Sequence, residues 1–297
     1  MFRLGVITDE IDSNLQRALE VVREWGLSDV ELNSLWGHNV TDLAEEKVQR
    51  AARLIREGGF RVCVIGTPAF KAVLLDDVAS IRESGEVAEH LECIRRGCAL
   101  AKRFGAPYVR IFSFRKRGMQ GLGNPSPRLP RGGPIPDDIL WKIVAGLRLA
   151  AEIAEEADVT LVVENVRSCW GNSCWNTARI LEAADHPRLK MVWDPGNDYV
   201  SGGDPFPEGY EAARPWIAHT HLKNAVVVDA NTGLTRWECI GSGDLDFRPM
   251  LTRLAADGYG GVVSLETHWR GEGMTPEESS RASFADLQRL LESITAS

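Results

Sequence analysis

The chain has 297 residues, of which 44% are hydrophobic and 26% are charged, a composition typical of a globular protein with a sizeable core. Its net charge of −8 argues against nucleic acid as the main partner, because phosphate binding needs an excess of Lys and Arg. The sequence has neither a bilayer-spanning apolar segment nor a signal-peptide pattern, so we expect a cytoplasmic protein with no membrane partner.

Short apolar strands alternate with amphipathic helical segments along the chain, and no flexible linker divides it. A first helix is expected to end at Gly26, and a second to begin after Thr41 as its N-cap. Eight βα units predict a single (β/α)8 TIM-barrel domain over residues 1–297. A doubly wound sheet is the alternative, but the turn after the first strand lacks its glycine-rich pattern. The predicted strands are 4–8, 29–33, 62–66, 108–112, 161–165, 191–195, 217–222 and 262–266.

A long loop, residues 113–138, follows the fourth predicted strand and is rich in Gly, Pro and Arg. Loops of this length in a compact domain are usually lids or disordered segments, and we expect a lid over the active site. Its cations, together with Arg270 after the eighth strand, are candidates for binding a phosphate or carboxylate group. These loop cations are Arg115, Lys116, Arg117, Arg128 and Arg131.

Four polar residues stand at the ends of four consecutive predicted strands: Glu164, Asp194, His221 and Glu266. The carboxyl ends of the strands carry the chemistry of TIM barrels, so these side chains are expected to converge. Taken singly, each would be read as a salt-bridge partner or a core residue. Carboxylates with one imidazole suit Mn²⁺, Co²⁺, Mg²⁺ or Zn²⁺ and leave coordination positions for substrate oxygens. The shared position therefore predicts one divalent metal ion.

The motifs VVEN (162–165), WDPGN (193–197), HTHLKN (219–224) and SLETH (264–268) resemble those of the xylose isomerase-like TIM barrels. That family includes sugar isomerases and D-tagatose 3-epimerase-like epimerases, dehydratases and a DNA-repair endonuclease. The resemblance implies that the same four residues are the metal ligands, and that Glu164 and Glu266 share the roles of catalytic base and acid, in either order. Asn197 stands where many members have His, so an amide is predicted there to bind substrate or water.

The segment IAHTHLKN, residues 217–224, is predicted to place His219, His221 and Lys223 on one side of the seventh strand, because side chains alternate. His221 lies about 6 to 7 Å nearer the catalytic end than His219, so His221 is the predicted ligand and His219 a supporting or core residue. Lys223, one layer further out, is predicted to contact a substrate oxygen, with a solvated lysine as the alternative.

The resemblance implies a sugar or sugar phosphate isomerase or epimerase of carbohydrate metabolism, which transfers a proton through a metal-stabilised enediolate. A lyase or dehydratase acting on a keto-sugar or keto-cyclitol is the first alternative. The acidic charge opposes an endonuclease, and open coordination positions oppose a non-catalytic metal-supported binding protein. The expected partner is a small-molecule carbohydrate, and a homo-oligomer is compatible with the sequence. Aromatic residues after strand ends are predicted to stack on the sugar, with loop packing as the alternative: Trp36, Trp170, Trp175 and Trp269.

Overall fold

A closed barrel of eight parallel strands forms the centre of the molecule, and the strands follow one another around it in chain order. The computed structural model describes residues 2–120 and 123–295. The prediction of a (β/α)8 TIM barrel is confirmed, and each predicted strand coincides with an observed barrel strand to within two residues at either end. The barrel strands are β1 (Arg3–Ile7), β2 (Asp29–Leu32), β5 (Arg61–Gly66), β6 (Tyr108–Ile111), β7 (Thr160–Glu164), β8 (Leu189–Trp193), β9 (Ile217–Leu222) and β12 (Val262–Leu265).

Helices surround the barrel, and most of the apolar core fills the layer between helices and strands. Several helices begin where a polar side chain accepts a hydrogen bond from a backbone N–H of the first turn, which satisfies an otherwise unpaired donor. Within the part of the chain described, no helix is long and apolar enough to cross a membrane. The helices are α1 (Leu15–Glu24), α2 (Glu45–Gly58), α3 (Gly85–Phe104), α4 (Asp137–Glu156), α5 (Cys174–Ala184), α6 (Pro195–Ser201), α7 (Tyr210–Ala213), α8 (Phe247–Ala256) and α9 (Pro276–Thr295).

Two helix termini are predicted from the sequence: the end of α1 is confirmed, and the start of α2 is not. Gly26 follows α1 with a φ of 71°, a left-handed conformation that glycine adopts without strain, as predicted. The predicted N-cap at Thr41 is wrong, because α2 begins at Glu45. The side chain of Asn39 accepts hydrogen bonds from the Thr41 N–H and hydroxyl, and this holds Thr41 in a short 3-10 turn before the helix.

Two hairpins that the sequence analysis did not predict lie outside the barrel. Strands β3 (Ser34–Leu35) and β4 (His38–Asn39) follow β2, and β10 (Asn224–Asp229) and β11 (Leu234–Glu238) follow β9. The turn of the second hairpin contacts the 113–138 loop: a Cβ on Gly233, whose φ is 68°, would lie 1.9 Å from the Ser126 carbonyl oxygen. The glycine therefore permits a close approach between the hairpin and the loop.

Candidate metal centre and active site

Side chains from four neighbouring strands meet at the carboxyl end of the barrel. One ligand atom from each of Glu164, Asp194, His221 and Glu266 lies within 4.8 Å of the others, and all four residues are buried. Glu164 ends β7, Asp194 follows β8, His221 belongs to β9 and Glu266 follows β12. The structure thus brings together the four predicted ligands, in an arrangement that could hold one divalent ion.

Asp194 is held in place by its position as the N-cap of α6. Its Oδ1 accepts a hydrogen bond from the Asn197 N–H at 2.8 Å. The Asn165 side chain donates to the Asp194 carbonyl oxygen at 2.8 Å and accepts from the Asp194 N–H at 2.9 Å. Backbone and carboxylate are both fixed, which leaves Oδ2 directed toward the other ligand candidates.

Asn197 connects two of the predicted ligands. Its side-chain N–H group donates to Glu164 Oε1 at 3.0 Å and to Asp194 Oδ2 at 2.9 Å. The residue also lines the cavity above the site, so its predicted contact with substrate stays a prediction. The amide orients the carboxylates without adding a negative charge.

Glu31, to which the sequence analysis gave no role, holds both histidines of the HTH segment. Its Oε1 lies 2.5 Å from His219 Nε2 and 3.1 Å from His221 Nε2. Burial would raise the pKa of Glu31, but the charges of His221 and His219 and their hydrogen bonds lower that pKa well below its usual range. The ionised Glu31 therefore accepts from Nε2 of His221, and the opposite ring nitrogen, Nδ1, faces the site.

The Nδ1 atom of His221 is the nitrogen atom that a cation held by the four candidate residues would contact. It makes no hydrogen bond to the described residues, yet it lies 3.2 Å from Glu266 Oε2 and 3.8 Å from Glu164 Oε1. Burial would lower the pKa of His221, but Glu31 and Glu266 raise it well above its ordinary value, so without a metal ion both ring nitrogens carry a proton. A metal ion at this site would displace the Nδ1 proton, while Nε2 would keep the proton that it donates to Glu31. An imidazole nitrogen beside buried carboxylates is a donor set that suits a divalent cation.

Lys223 lies closer to these ligands than the sequence indicated. Its side chain is buried, and its ammonium contacts Glu266 Oε2, lies 2.7 Å from Asp194 Oδ2 and 3.8 Å from Glu164 Oε1. Burial would lower the pKa of Lys223, but these carboxylates raise it above its ordinary value. Burial also raises the pKa of Asp194 to about 6, against the opposing effect of Lys223. Three carboxylates thus surround one positive charge.

Arg110 is a second site residue that the sequence analysis missed. It projects from β6 into the barrel, and its Nη1 donates to Glu164 Oε2 at 2.8 Å. Its guanidinium carbon lies 4.6 Å from the centre of the Phe112 ring. A signal for this position is present in the segment YVRIF, because an arginine inside a buried parallel strand needs a partner.

A second group of polar residues lies at the rim. The Nδ1 atom of His268 is 2.7 Å from Glu10 Oε1, and its Nε2 atom is 3.4 Å from Glu266 Oε1. Arg270, a predicted substrate-binding residue, donates to Glu10 Oε2 at 2.9 Å and remains exposed. The rim therefore connects Glu266 to the outer surface through His268.

A cavity of about 310 Å³ is lined by two of the four ligand candidates, Glu164 and Glu266, while Asp194 and His221 lie buried behind them. A larger outer cavity of about 570 Å³ adjoins it at His268 and is lined by Trp269, one of the predicted stacking residues. Together the two volumes would accommodate a small carbohydrate. The lining of the inner cavity consists of Asp9, Glu10, Asn33, Lys71, Arg110, Gln120, Glu164, Val166, Arg167, Ser168, Asn197, Lys223, Glu266 and His268.

The other tryptophans predicted to stack on substrate lie under cations outside the lining of both cavities. Trp36 packs against Arg50, with 5.1 Å between the guanidinium carbon and the ring centre. Trp170 packs against Lys116 at 5.1 Å and Trp175 against Arg131 at 4.2 Å. These contacts match the alternative of loop packing.

The cations of the 113–138 loop have local partners. Arg115 donates to the Met119 carbonyl oxygen, Lys116 to that of Gly132 and Arg128 to that of Tyr199. Arg117 lies 3.7 Å from Asp76, and Arg131 pairs with Glu208 at 3.0 Å. Of the described loop residues, Gln120 lines the inner cavity and Gly123 the outer one. The loop thus covers the site, and its role as a lid stays a prediction.

Asp198, one turn into α6, gives a prediction for stability as a function of pH. Its Oδ1 accepts from the Cys174 N–H at 2.7 Å, while its Oδ2 has no described hydrogen-bond partner. Burial, with smaller contributions from Asp204 and Asp194, raises the pKa of Asp198 from an ordinary value of 3.8 to about 7. Between these two values the unfolded chain loses this proton and the folded protein keeps it. The free energy of unfolding therefore falls as the pH rises.

Asp198→Asn should remove this pH dependence, because an amide still accepts from Cys174 and never ionises. We expect the variant to unfold at a higher temperature than the native protein at pH 8, and the difference to shrink toward pH 4. The gain is at most about 4 kcal/mol, since one pKa unit corresponds to about 1.4 kcal/mol. Thermal unfolding measured from pH 4 to 8 tests this, and a difference independent of pH would contradict it.

Comparison with known proteins gives the family. The family model described as xylose isomerase-like TIM barrel matches residues 19–291. A curated relative, a 3-dehydroshikimate dehydratase of Bacillus anthracis, is 22% identical over 195 residues, which are 66% of this chain and 62% of the relative. A structure of L-ribulose 3-epimerase matches with a TM-score of 0.72 and 20% identity, covering 100% of this chain and 96% of that one.

A xylose isomerase-like protein from Mycobacterium smegmatis, solved in complex with magnesium, matches with a TM-score of 0.69 and 16% identity. It covers 99% of this chain and 98% of that one. At these identities the solved structures support the fold alone, whereas the family model spans most of the chain. The chain therefore belongs to the family of xylose isomerase-like TIM barrels.

Proposed function

We propose that the protein is a divalent-metal-dependent isomerase or epimerase that acts on a sugar or sugar phosphate. The observation that carries the proposal is the convergence of Glu164, Asp194, His221 and Glu266 beneath a cavity of about 310 Å³. These four residues would hold one ion of Mn²⁺, Co²⁺, Mg²⁺ or Zn²⁺. A bound ion would polarise the carbonyl and neighbouring hydroxyl of the substrate and stabilise the enediolate charge that develops when the intervening C–H proton leaves.

The protein's own part in the reaction is to move that proton, and Glu164 and Glu266 are the proposed groups. Burial would raise their pKa values, but Arg110 lowers that of Glu164, and Lys223 with His268 lowers that of Glu266. Both carboxylates are therefore ionised and able to accept a proton. For epimerisation, one carboxylate removes the substrate proton, and the other, after taking up a proton from solvent, delivers that proton to the opposite face; the first then releases its proton to solvent.

The surrounding residues orient these two carboxylates. Arg110 and Asn197 hold the two oxygens of Glu164, and His268 Nε2 lies 3.4 Å from Glu266 Oε1. Fixed orientation lowers the entropic cost of reaching the proton. The 113–138 loop, in this proposal, excludes water from the reacting atoms when substrate is bound.

A lyase or dehydratase is the second candidate, and the dehydratase relative favours it. Removal of the proton beside the carbonyl is common to both reactions. In the lyase, the electrons then expel a hydroxyl group from the next carbon, and a proton donor at the rim assists its departure. His268, between Glu10 and Glu266, is placed for that role.

Deuterium exchange tests the proposal and separates the two candidates. The Mn²⁺-loaded protein is incubated in D₂O with a panel of ketoses, ketose phosphates and keto-cyclitols, and the products are analysed by NMR. For an isomerase or epimerase we expect deuterium on the carbon beside the carbonyl together with a new isomer, and no reaction in EDTA. Loss of water without a new isomer would support the lyase. No exchange with any compound of the panel would count against both.

A further inference from the structure

The walls of the inner cavity carry two cations that the metal site does not use. Among the cavity-lining basic residues, Arg110 pairs with Glu164, Lys223 with Asp194 and Glu266, and the imidazole of His268 contacts Glu10. Lys71 and Arg167 also line the cavity. Among the residues that the structure describes, neither has a carboxylate partner.

Arg167 is the stronger of the two observations because it is almost fully buried, at 2% exposure. Its guanidinium donates to the Ser126 and Gly233 carbonyl oxygens at 2.7 and 2.6 Å, and to Thr235 Oγ1 at 2.8 Å. These acceptors are neutral, so they satisfy N–H groups without balancing the charge. The Nε atom has no described partner. Burial, and then the charge of Arg128, lower the pKa of Arg167, as expected for an uncompensated cation.

Lys71 approaches the same cavity from the segment after β5. Its ammonium lies 4.7 Å from the centre of the Phe112 ring, and the residue is exposed. Ser168, beside Arg167 in the chain, adds a polar side chain to the same lining. A flexible lysine and a fixed arginine in the lining of one cavity are cations that can both bind an oxyanion held there.

We propose that Arg167 and Lys71 form a subsite for an anionic group of the substrate, either a carboxylate or a phosphate. A bound oxyanion would balance the buried guanidinium charge and accept from the ammonium. The subsite lies in the cavity above the four ligand candidates, so an anion there would fix one end of a substrate whose carbonyl group faces the metal site. The role of this subsite in the reaction rests on the proposed function, whereas anion binding to it can be measured without any reaction.

The same residues also join the structure together, because Arg167 connects the 113–138 loop to the β10–β11 hairpin. Replacing Arg167 alone would therefore mix binding with folding. Lys71→Met is the cleaner change, since Lys71 is exposed. Lys190→Met is its matched control: Lys190 also lies over an aromatic ring, Trp216 at 5.7 Å, but near the start of β8 at the opposite end of the barrel.

The test measures binding of inorganic phosphate, D-gluconate and neutral D-fructose to the full chain by calorimetry, in Mg²⁺ and again after chelation. We expect at least one anion to bind more tightly than fructose, and Lys71→Met to raise its Kd by about tenfold or more while Lys190→Met leaves it unchanged. Arg167→Lys, which keeps the charge but loses the forked donors, should also raise the Kd while the melting temperature shows whether it folds.

Preference for phosphate over gluconate would identify a phosphorylated substrate, and the reverse an acid substrate. Binding of both anions that is unchanged in Lys71→Met and Arg167→Lys, or no anion binding at all, would overturn the subsite. Deuterium exchange on neutral ketoses with no anion binding would overturn it while leaving the proposed function standing. Anion binding that depends on Lys71, without deuterium exchange on any substrate, would support the subsite and count against the proposed function.

Discussion

His221→Ala is expected to lose the metal ion, whereas His219→Ala is expected to keep it. His221 presents its Nδ1 atom to Glu164 and Glu266, so its removal deletes a proposed ligand. His219 lies a layer deeper, and its Nε2 atom contacts Glu31 at 2.5 Å. We expect the apparent Kd for Mn²⁺ to rise by more than about 100-fold in the first variant and by about tenfold or less in the second.

Elemental analysis and calorimetry with Mn²⁺ measure this difference directly, without a substrate. One ion per chain is expected in the native protein, since the four candidates support one site. Asp194→Ala should behave like His221→Ala. Equal losses of metal in the two histidine variants would mean that the imidazole of His219 binds the ion as well, and several ions per chain would revive the nuclease alternative.

Glu31→Gln extends the same argument to the residue behind the histidines. The glutamine can still accept one hydrogen bond, but it loses the charge that draws the Nε2 protons of both rings. We expect a loss of Mn²⁺ affinity of about 10- to 100-fold, intermediate between the two histidine variants. A native affinity in Glu31→Gln would show that the ring orientation of His221 is fixed by packing instead.

The barrel could be predicted from the sequence because each barrel strand is a short apolar run and the longer helices between them show amphipathic patterns. The same local rule of alternation predicted that His219, His221 and Lys223 share one side of β9, and all three do face the barrel interior. Local patterns also identified the four ligand candidates, because parallel strands in a barrel end at the same rim.

The features that were missed depend on contacts between distant segments. Glu31 meets His219 across 188 positions of sequence, and Arg110 meets Glu164 across 54. A charged residue in a strand indicates only that some partner exists, and the partner is set by the barrel register. The β10–β11 hairpin was overlooked for a different reason, since its strands lie in what a barrel pattern treats as a connecting loop.

The depth of Lys223 could not be read from its position either. A position one layer further out than His221 suggests contact with substrate, but a lysine side chain is long enough to turn back toward the strand ends. Here it does so, and its ammonium lies among three of the four ligand candidates. We therefore expect a metal ion and the Lys223 ammonium to compete for Asp194 and Glu266.

This competition leads to the second large effect, for Lys223→Met. In EDTA, the variant leaves three buried carboxylates without their ammonium partner, and removal of one member of a buried ion pair costs about 3 to 5 kcal/mol of unfolding free energy. With Mn²⁺, the ion supplies the missing positive charge. We therefore expect a much lower melting temperature than native in EDTA, and a larger rise on adding Mn²⁺ than the native protein shows.

Thermal unfolding in EDTA and in saturating Mn²⁺ separates competition for the carboxylates from a simple loss of one positive charge. Lys71→Met removes the same charge from an exposed position, so its melting temperature should stay close to native in both conditions. Asp194→Ala removes a proposed ligand, so Mn²⁺ should hardly raise its melting temperature. If Lys223→Met responds to Mn²⁺ as weakly as Asp194→Ala, then Lys223 supports the metal site instead of competing with the ion. A larger rise in melting temperature than in the native protein would mean that the carboxylates bind either cation. Lys223 would then balance their charge when no metal ion is bound.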